Sequence, residues 1–166
     1  MLAVHYDWLG FYEAASFLKS AEQWNMAWEM LKKAIKSKEK FRYSYDVQFI
    51  QIAINANKTD EAEELLKRYV ILQSDSARPY LILGLFYSNI NKVDLAIKSY
   101  QNAILGSKKI ALNEDSLYYY AANYFVKHHF YKDAEKALKI LLSFDPYNEN
   151  AKSELIETRK KRKVEK

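Results

Sequence analysis

His5, His128 and His129 are the only imidazoles in this 166-residue chain, and none stands at a metal-ligand spacing from a second histidine or a carboxylate. All three are expected in structural or surface positions. Asp60-Glu61 with Glu63-Glu64, and Glu22 with Glu29, read as first-turn acids and solvated faces rather than as an acid/base pair in a cleft. The absence of cysteine excludes thiolate nucleophiles, disulfides and cysteine-held metal, and leaves the redox compartment open. No glycine-rich loop is present to cradle a phosphate. Trp8, Trp24 and Trp28, with Tyr118, Tyr119 and Tyr120, could stack on bases, but core and repeat contacts are the better reading. What remains is the chemistry of contact. No enzyme activity, cofactor or metal is expected.

The elements that must present such contacts are written as a repeat. Ala27, Ala62, Ala96 and Ala134 each open an A-x-x-x-(L/Y)-x-x-(A/Y/L) segment, completed by Leu31/Ala34, Leu66/Tyr69, Tyr100/Ala103 and Leu138/Leu141. A period near 34 residues, with two helix-length apolar segments in each copy, predicts stacked helical hairpins. Tyr80, Leu83, Gly84 and Tyr87 fall at i, i+3, i+4 and i+7, and Ala96, Tyr100 and Ala103 continue that period in the partner helix. Phe11, Ala14, Ala15 and Leu18 do the same in the first copy, Phe49, Ile50 and Ala53 in the second, and Tyr118, Ala121, Ala122 and Phe125 in the fourth. Gly84 and Ala122 are placed to face Ala96 and Ala134, small against small, so that the axes approach closely.

Composition supports this. With 49% hydrophobic residues the chain can bury a substantial core, and with only three glycines and two prolines its helices should be long and its tight turns few. An all-α fold follows, with helix pairs at about 8–42, 43–76, 77–114 and 115–148 and a capping helix over 149–166. Ser20 with Gln23 reads as a capping box opening the second helix, and Thr59 caps a helix with Asp60 and Glu61 in its first turn. Ser76 precedes a helix with Pro79 in its first turn, and Asn148 can cap the last helix. The extra residues between the third and fourth copies, within Gly106 to Glu114, are read as a longer loop or an extended helix.

The pattern resembles the tetratricopeptide repeat family over about residues 8 to 148. The third copy fits best, through Tyr80, Leu83, Gly84, Tyr87, Ala96, Tyr100 and Ala103. The fourth follows with Tyr118, Ala121, Ala122, Phe125, Ala134, Leu138 and Pro146, while the first two keep the alanine but carry Ala15 or Ile50 at the glycine position. The resemblance implies a right-handed α-solenoid whose first helices line a concave groove for an extended peptide or a partner helix. Carried onto this sequence, the groove set is Tyr12, Ser16 and Lys19 with Leu9; Val47, Gln51 and Ile54 with Ser44; Arg78, Leu81 and Leu85 with Ser88; and Tyr119, Asn123 and Val126 with Ser116. Asn55, Asn89 and Lys127 lie at the edge. The apolar members suggest a partner with apolar anchors, and the asparagines and Gln51 could hydrogen-bond its backbone. Filling of this stripe by the chain's own packing is the competing reading. Chaperone-tail recognition is not expected, because Tyr12, Val47, Leu81 and Tyr119 occupy positions where a carboxylate clamp needs polar groups.

Residues 157–166 hold six cations against two acids, so the tail carries +4 of the net charge of +5 and the body is nearly neutral. Arg159-Lys160-Lys161-Arg162-Lys163 looks like an import signal or a phosphate-binding tail, set against helix-terminal cations, a solvated face or the start of a further segment. Neither a signal-peptide pattern nor an apolar run of membrane-spanning length is present, so a cytoplasmic location is the default and a periplasmic one follows if an export signal has been removed. The Lys-, Asn-, Ile- and Tyr-rich composition suggests an AT-rich, bacterial genome. The leading expectation is a non-enzymatic adaptor for a protein or peptide, within a bacterial envelope, secretion or motility assembly. The alternatives are a secretion-chaperone-like protein holding apolar client segments and nucleic-acid binding through the basic tail, a partner class not favoured by the neutral body.

Overall fold

The computed structural model describes residues 7–36, 46–106 and 115–164. His5, Ser44, the insertion after Gly106 and the last two residues of the basic tail lie outside them. Nine α-helices are found among the described residues: α1 Asp7–Ser20, α2 Trp24–Lys36, α3 Val47–Asn55, α4 Thr59–Leu72, α5 Ala77–Asn89, α6 Val93–Gln101, α7 Asp115–Lys127, α8 Tyr131–Phe144 and α9 Glu149–Val164. α6 runs on into a π-helical turn, Asn102–Gly106. The chain divides into two compact units, residues 1–69 and 70–166.

Each helix pair is joined by the same turn. Glu22, Asn57, Asn91 and His129 adopt left-handed φ of 56°, 55°, 58° and 66°, and each precedes one of the four repeat alanines by five positions. The following amide reaches back over the turn in every case: Gln23 to the Leu18 carbonyl (2.8 Å), Lys58 to Ala53 (2.8 Å), Lys92 to Tyr87 (3.0 Å) and Phe130 to Phe125 (2.8 Å). This bond closes the end of the first helix and aims the chain into the second. No glycine occupies these positions, although a left-handed residue with a Cβ costs about 1–2 kcal/mol unless it is asparagine or aspartate. Glu22→Gly is therefore expected to raise unfolding free energy by about 1 kcal/mol. Asn57→Gly should change it less, and urea titrations of both variants check the pair.

The turn also corrects one start signal. Ser20 belongs to the last turn of α1 and donates to the Ser16 carbonyl at 3.1 Å, so it does not cap α2, which begins at Trp24. A serine near a helix end has a carbonyl within reach as readily as a free amide, and here the carbonyl wins. Thr59 is itself the first residue of α4, with Asp60 and Glu61 in the first turn. Ser76 sits at the N-cap of α5 in extended conformation but makes no side-chain cap bond. Asn148 caps α9 through Oδ1, accepting from the Ala151 amide at 3.0 Å.

Ala27, Ala62, Ala96 and Ala134 are all fully buried. In the first unit Trp28 is buried between helices, its ring 5.4 Å from that of Phe49 and its Nε1 donating to Glu61 Oε2 at 3.1 Å. That bond, outweighing burial and reinforced by Lys32 and Lys58, holds the Glu61 carboxyl below its ordinary range. In the second unit the nearest neighbours of Gly84 are not at Ala96 but on the ring of Tyr100, one helical turn further along α6. The small residue accommodates a large one instead of a second small one.

The basic end of α9 is held by a buried acid. Glu135 on α8, only 8% exposed, accepts from Arg159 Nε at 3.1 Å and Arg162 Nη1 at 2.6 Å, and pairs with Lys139 at 3.0 Å. Burial pushes its carboxyl up, but the hydrogen bonds from Lys139 and Arg159 and the charges of Lys139 and Arg162 outweigh this and hold it below its ordinary value of 4.5. A lowered carboxyl stabilises the folded state above its unfolded value and ceases to do so as pH falls through its folded one. Protection factors of the α9 amides, taken against their intrinsic exchange rates, should therefore fall as pH drops below about 4.5. Glu135→Gln should lose that dependence and about 1–2 kcal/mol, a figure discounted for the part-exposed cations.

Candidate functional site in the first-helix faces

The first unit lines α1 against α3 with three polar rungs. The Tyr12 hydroxyl donates to Asp46 Oδ2, Ser16 Oγ donates to Gln48 Oε1 at 3.0 Å, and Lys19 Nζ reaches Gln51 Oε1 at 3.5 Å. Asp46 also caps α3, its Oδ1 accepting from the Phe49 amide at 2.9 Å. Sequence reasoning missed this aspartate, although an acid immediately before an apolar run is a start signal. Lys19 and Gln51 thus hold each other, while Tyr12 and Ser16 are held by Asp46 and Gln48. Val47 is 49% exposed, Ile54 is half-buried, and Asn55, exposed, donates from Nδ2 to its own helix at the Gln51 carbonyl.

The second unit is built differently. A cavity of about 350 Å³ is lined by Leu85, Ser88, Asn89, Tyr100, Tyr120, Asn123, Tyr124 and Lys127, brought together by α5, α6 and α7. Five of these, Leu85, Ser88, Asn89, Asn123 and Lys127, are in the set derived from sequence. Asn89 Nδ2 donates to the Leu85 carbonyl at 2.8 Å, as Ser88 Oγ does, so the donor side of the Asn89 amide is engaged by its own helix. Asn123 is exposed. Tyr100 is buried at the base. Burial pushes its phenol far above the ordinary value despite a hydrogen bond with Ser88, and it stays neutral. Burial, with the charge of Asp94, also raises the Tyr124 phenol, whose ring lies 5.7 Å from that of Tyr100. The lining therefore offers aromatic walls, amide and hydroxyl groups and one cation, Lys127.

Three members of the derived stripe are inside the protein. Leu81 is fully buried, and Arg78 and Leu85 are each 8% exposed. Ten of the residues of α5 are buried, Ala77 to Pro79 and Leu81 to Tyr87, and the helix comes to the surface in its last turn, with Ser88 and Asn89. The expectation that Leu81 and Leu85 anchor a partner is corrected accordingly, with Leu85 reduced to the floor of the cavity. Tyr119 is half-buried beside a separate recess of about 190 Å³ with Ser116, Leu141, Asn148 and Asn150, and Val126 is half-buried elsewhere. The stripe that reaches the cavity is Tyr120, Asn123, Tyr124 and Lys127, at i, i+3, i+4 and i+7, rotated by one residue from the derived one.

A further cavity of about 450 Å³ lies between α2 and α4 and includes Lys32, Glu61, Glu64 and Arg68. Its charges are of both signs, and Lys32 is paired with Glu29 at 2.7 Å and with Glu61 at 3.6 Å. No group of three or more histidines and acids able to hold a metal is found among the described residues, and no described helix is long and apolar enough to cross a membrane.

No protein-family model matches the sequence, and no curated protein matches it. Solved structures do match in fold. A crystal structure of MamA aligns over 96% of this chain and 84% of its own, with a TM-score of 0.59 and 20% identity. A second MamA structure aligns over 90% and 85%, at 0.58 and 21%. YrrB, described as a TPR protein with an unusual peptide-binding site, aligns over 92% and 76%, at 0.54 and 14%. The chain has the fold of the tetratricopeptide repeat, an all-α solenoid of helix pairs. At these identities the likeness carries the fold and leaves function to the site.

Proposed function

We propose that this chain is a non-enzymatic scaffold that holds a protein partner, as an extended peptide or a helix, in the α5–α7 cavity of its second unit. The observation that carries this is the convergence of Tyr120, Asn123, Tyr124 and Lys127 with Asn89 on a recess of about 350 Å³, where exposed amides stand beside aromatic walls. Amides pair with the backbone of an extended segment without regard to its sequence, and tyrosine rings supply contact area at low entropic cost. The fold shared with YrrB, itself described as having a peptide-binding site, agrees with this use. A bacterial envelope, secretion or motility assembly remains the proposed setting, on composition and resemblance.

Tyr120→Ala combined with Asn123→Ala removes two exposed side chains and should leave helicity at the wild-type level. Binding of a partner purified from the source cells should weaken about tenfold or more, as expected when an aromatic contact and an amide pair are lost together. Unchanged affinity would move the site elsewhere. A variant that also loses helical signal would show these side chains to be structural.

A further inference from the structure

The basic end of the chain faces a recess that the proposed scaffold role does not use. We infer that this recess, between the start of α8 and the end of α9, is a second binding site, for an acidic peptide segment carrying apolar side chains.

The recess measures about 410 Å³ and is lined by Phe130, Lys132, Asp133, Lys136 and Arg162 together with the His129–Tyr131 pair. It shares no residue with the α5–α7 cavity. Its carboxylate, Asp133, already accepts from Gln101 Nε2 at 2.8 Å and lies 3.9 Å from Lys136 Nζ. Glu135 next to it is buried under Arg159, Arg162 and Lys139. Five cations, Lys132, Lys136, Lys139, Arg159 and Arg162, therefore meet two carboxylates that are both engaged, and three positive charges remain in excess. Lys161 and Lys163 add exposed charge on the last turn of α9.

The chemistry of the wall decides the class of ligand. Phe130 is 39% exposed among the lysines, and its ring is held against Phe125 at 6.4 Å. Lys132 and Lys136 stand one helical turn apart, a spacing that two carboxylates of an acidic segment can match while an apolar side chain lies on Phe130. A nucleic acid needs an unbroken track of cations along successive phosphates, and Asp133 interrupts this one. An anionic membrane surface needs a broad apolar face projecting outward, and Phe130 is more than half covered, with its ring toward Phe125.

The test uses the full chain and a short fluorescein-labelled peptide alternating glutamate with phenylalanine, read by anisotropy. Saturable binding that weakens as salt rises is expected, with none for the matching lysine–phenylalanine peptide. Lys132→Glu with Lys136→Glu should weaken it by about tenfold or more, because two contacts turn repulsive. The milder Lys132→Ala/Lys136→Ala and Phe130→Ala should move it in the same direction. Lys98→Glu and the Tyr120→Ala/Asn123→Ala pair should leave it unchanged, which separates this site from the groove. Equal affinity for the charge-reversed chain, or no binding by wild type, would overturn the inference. So would tighter binding to an oligothymidylate or to phosphatidylglycerol vesicles than to the peptide.

Discussion

Trp28→Ala is expected to lower the unfolding free energy by about 3–5 kcal/mol, the range for truncating a large aromatic in a closed core. Trp28 heads the largest fully buried side chains, so little collapse of its surroundings can refill the space. Its loss also strips a donor from Glu61, which would keep only the part-exposed Lys32 and Lys58. Trp28→Phe separates the two effects, since it retains most of the ring volume against Phe49 and removes the indole N–H. It should cost about 2 kcal/mol, the net value of one hydrogen bond to a charged group plus a small void. Urea unfolding followed by circular dichroism reads both. If alanine costs no more than phenylalanine, the helix pairing in the first unit is not as described.

Gly84→Leu should be nearly as damaging, at about 3 kcal/mol, through overpacking. A Cβ built on Gly84 would stand 2.6 Å from Cδ1 and 2.7 Å from Cε1 of Tyr100, closer than carbon atoms approach, and Tyr100 is itself fully buried. Either the ring or the helix axis must move. Tyr100→Leu placed in the same chain should recover part of the loss, because the two side chains compete for one volume. Gly10→Ala is the control with opposite sign. Gly10 lies within α1 with nothing within 4 Å of a built Cβ, so the change should gain about 1 kcal/mol in helix propensity.

These two glycines show what a sequence of this kind discloses. Gly84 stood out because it interrupts an apolar helical stripe in phase with Ala15, Ile50 and Ala122, and burial follows from phase alone. The four repeat alanines were legible for the same reason. A small residue at a helix crossing is specified by one position and is hard to replace. The partner of Gly84 was not legible, since Ala96 and Tyr100 lie one turn apart on the same face and only the axial offset of the helices chooses between them. The turns were hidden because Glu22 and His129 adopt a left-handed conformation that their residue types do not announce, whereas Asn57 and Asn91 carry a weak signal.

The candidate site was half legible. Ser88, Asn89, Asn123 and Lys127 follow from the stripe next to the core, while Tyr120 was read as a core or repeat contact and Tyr124 was not singled out. A rotation of one residue is about 100° on a helix, enough to exchange Tyr119 for Tyr120 at a cavity mouth. Leu81 was misplaced because the number of buried faces on α5 depends on what packs around it, which a single helical stripe does not record. In α1 the derived positions Tyr12 and Ser16 are engaged by Asp46 and Gln48, two residues that the derived set did not include.

The central claim is that a protein partner lies against the face carrying Tyr120 and Asn123. Site-specific photo-crosslinking in the source cells tests it most directly, with benzoylphenylalanine replacing Tyr120 in one variant and the exposed Lys98 of α6 in another. A discrete adduct from position 120, absent at position 98 and lost when Asn123 is changed to alanine, is the result expected. Adducts from position 98 alone, or equally from both, would contradict the account.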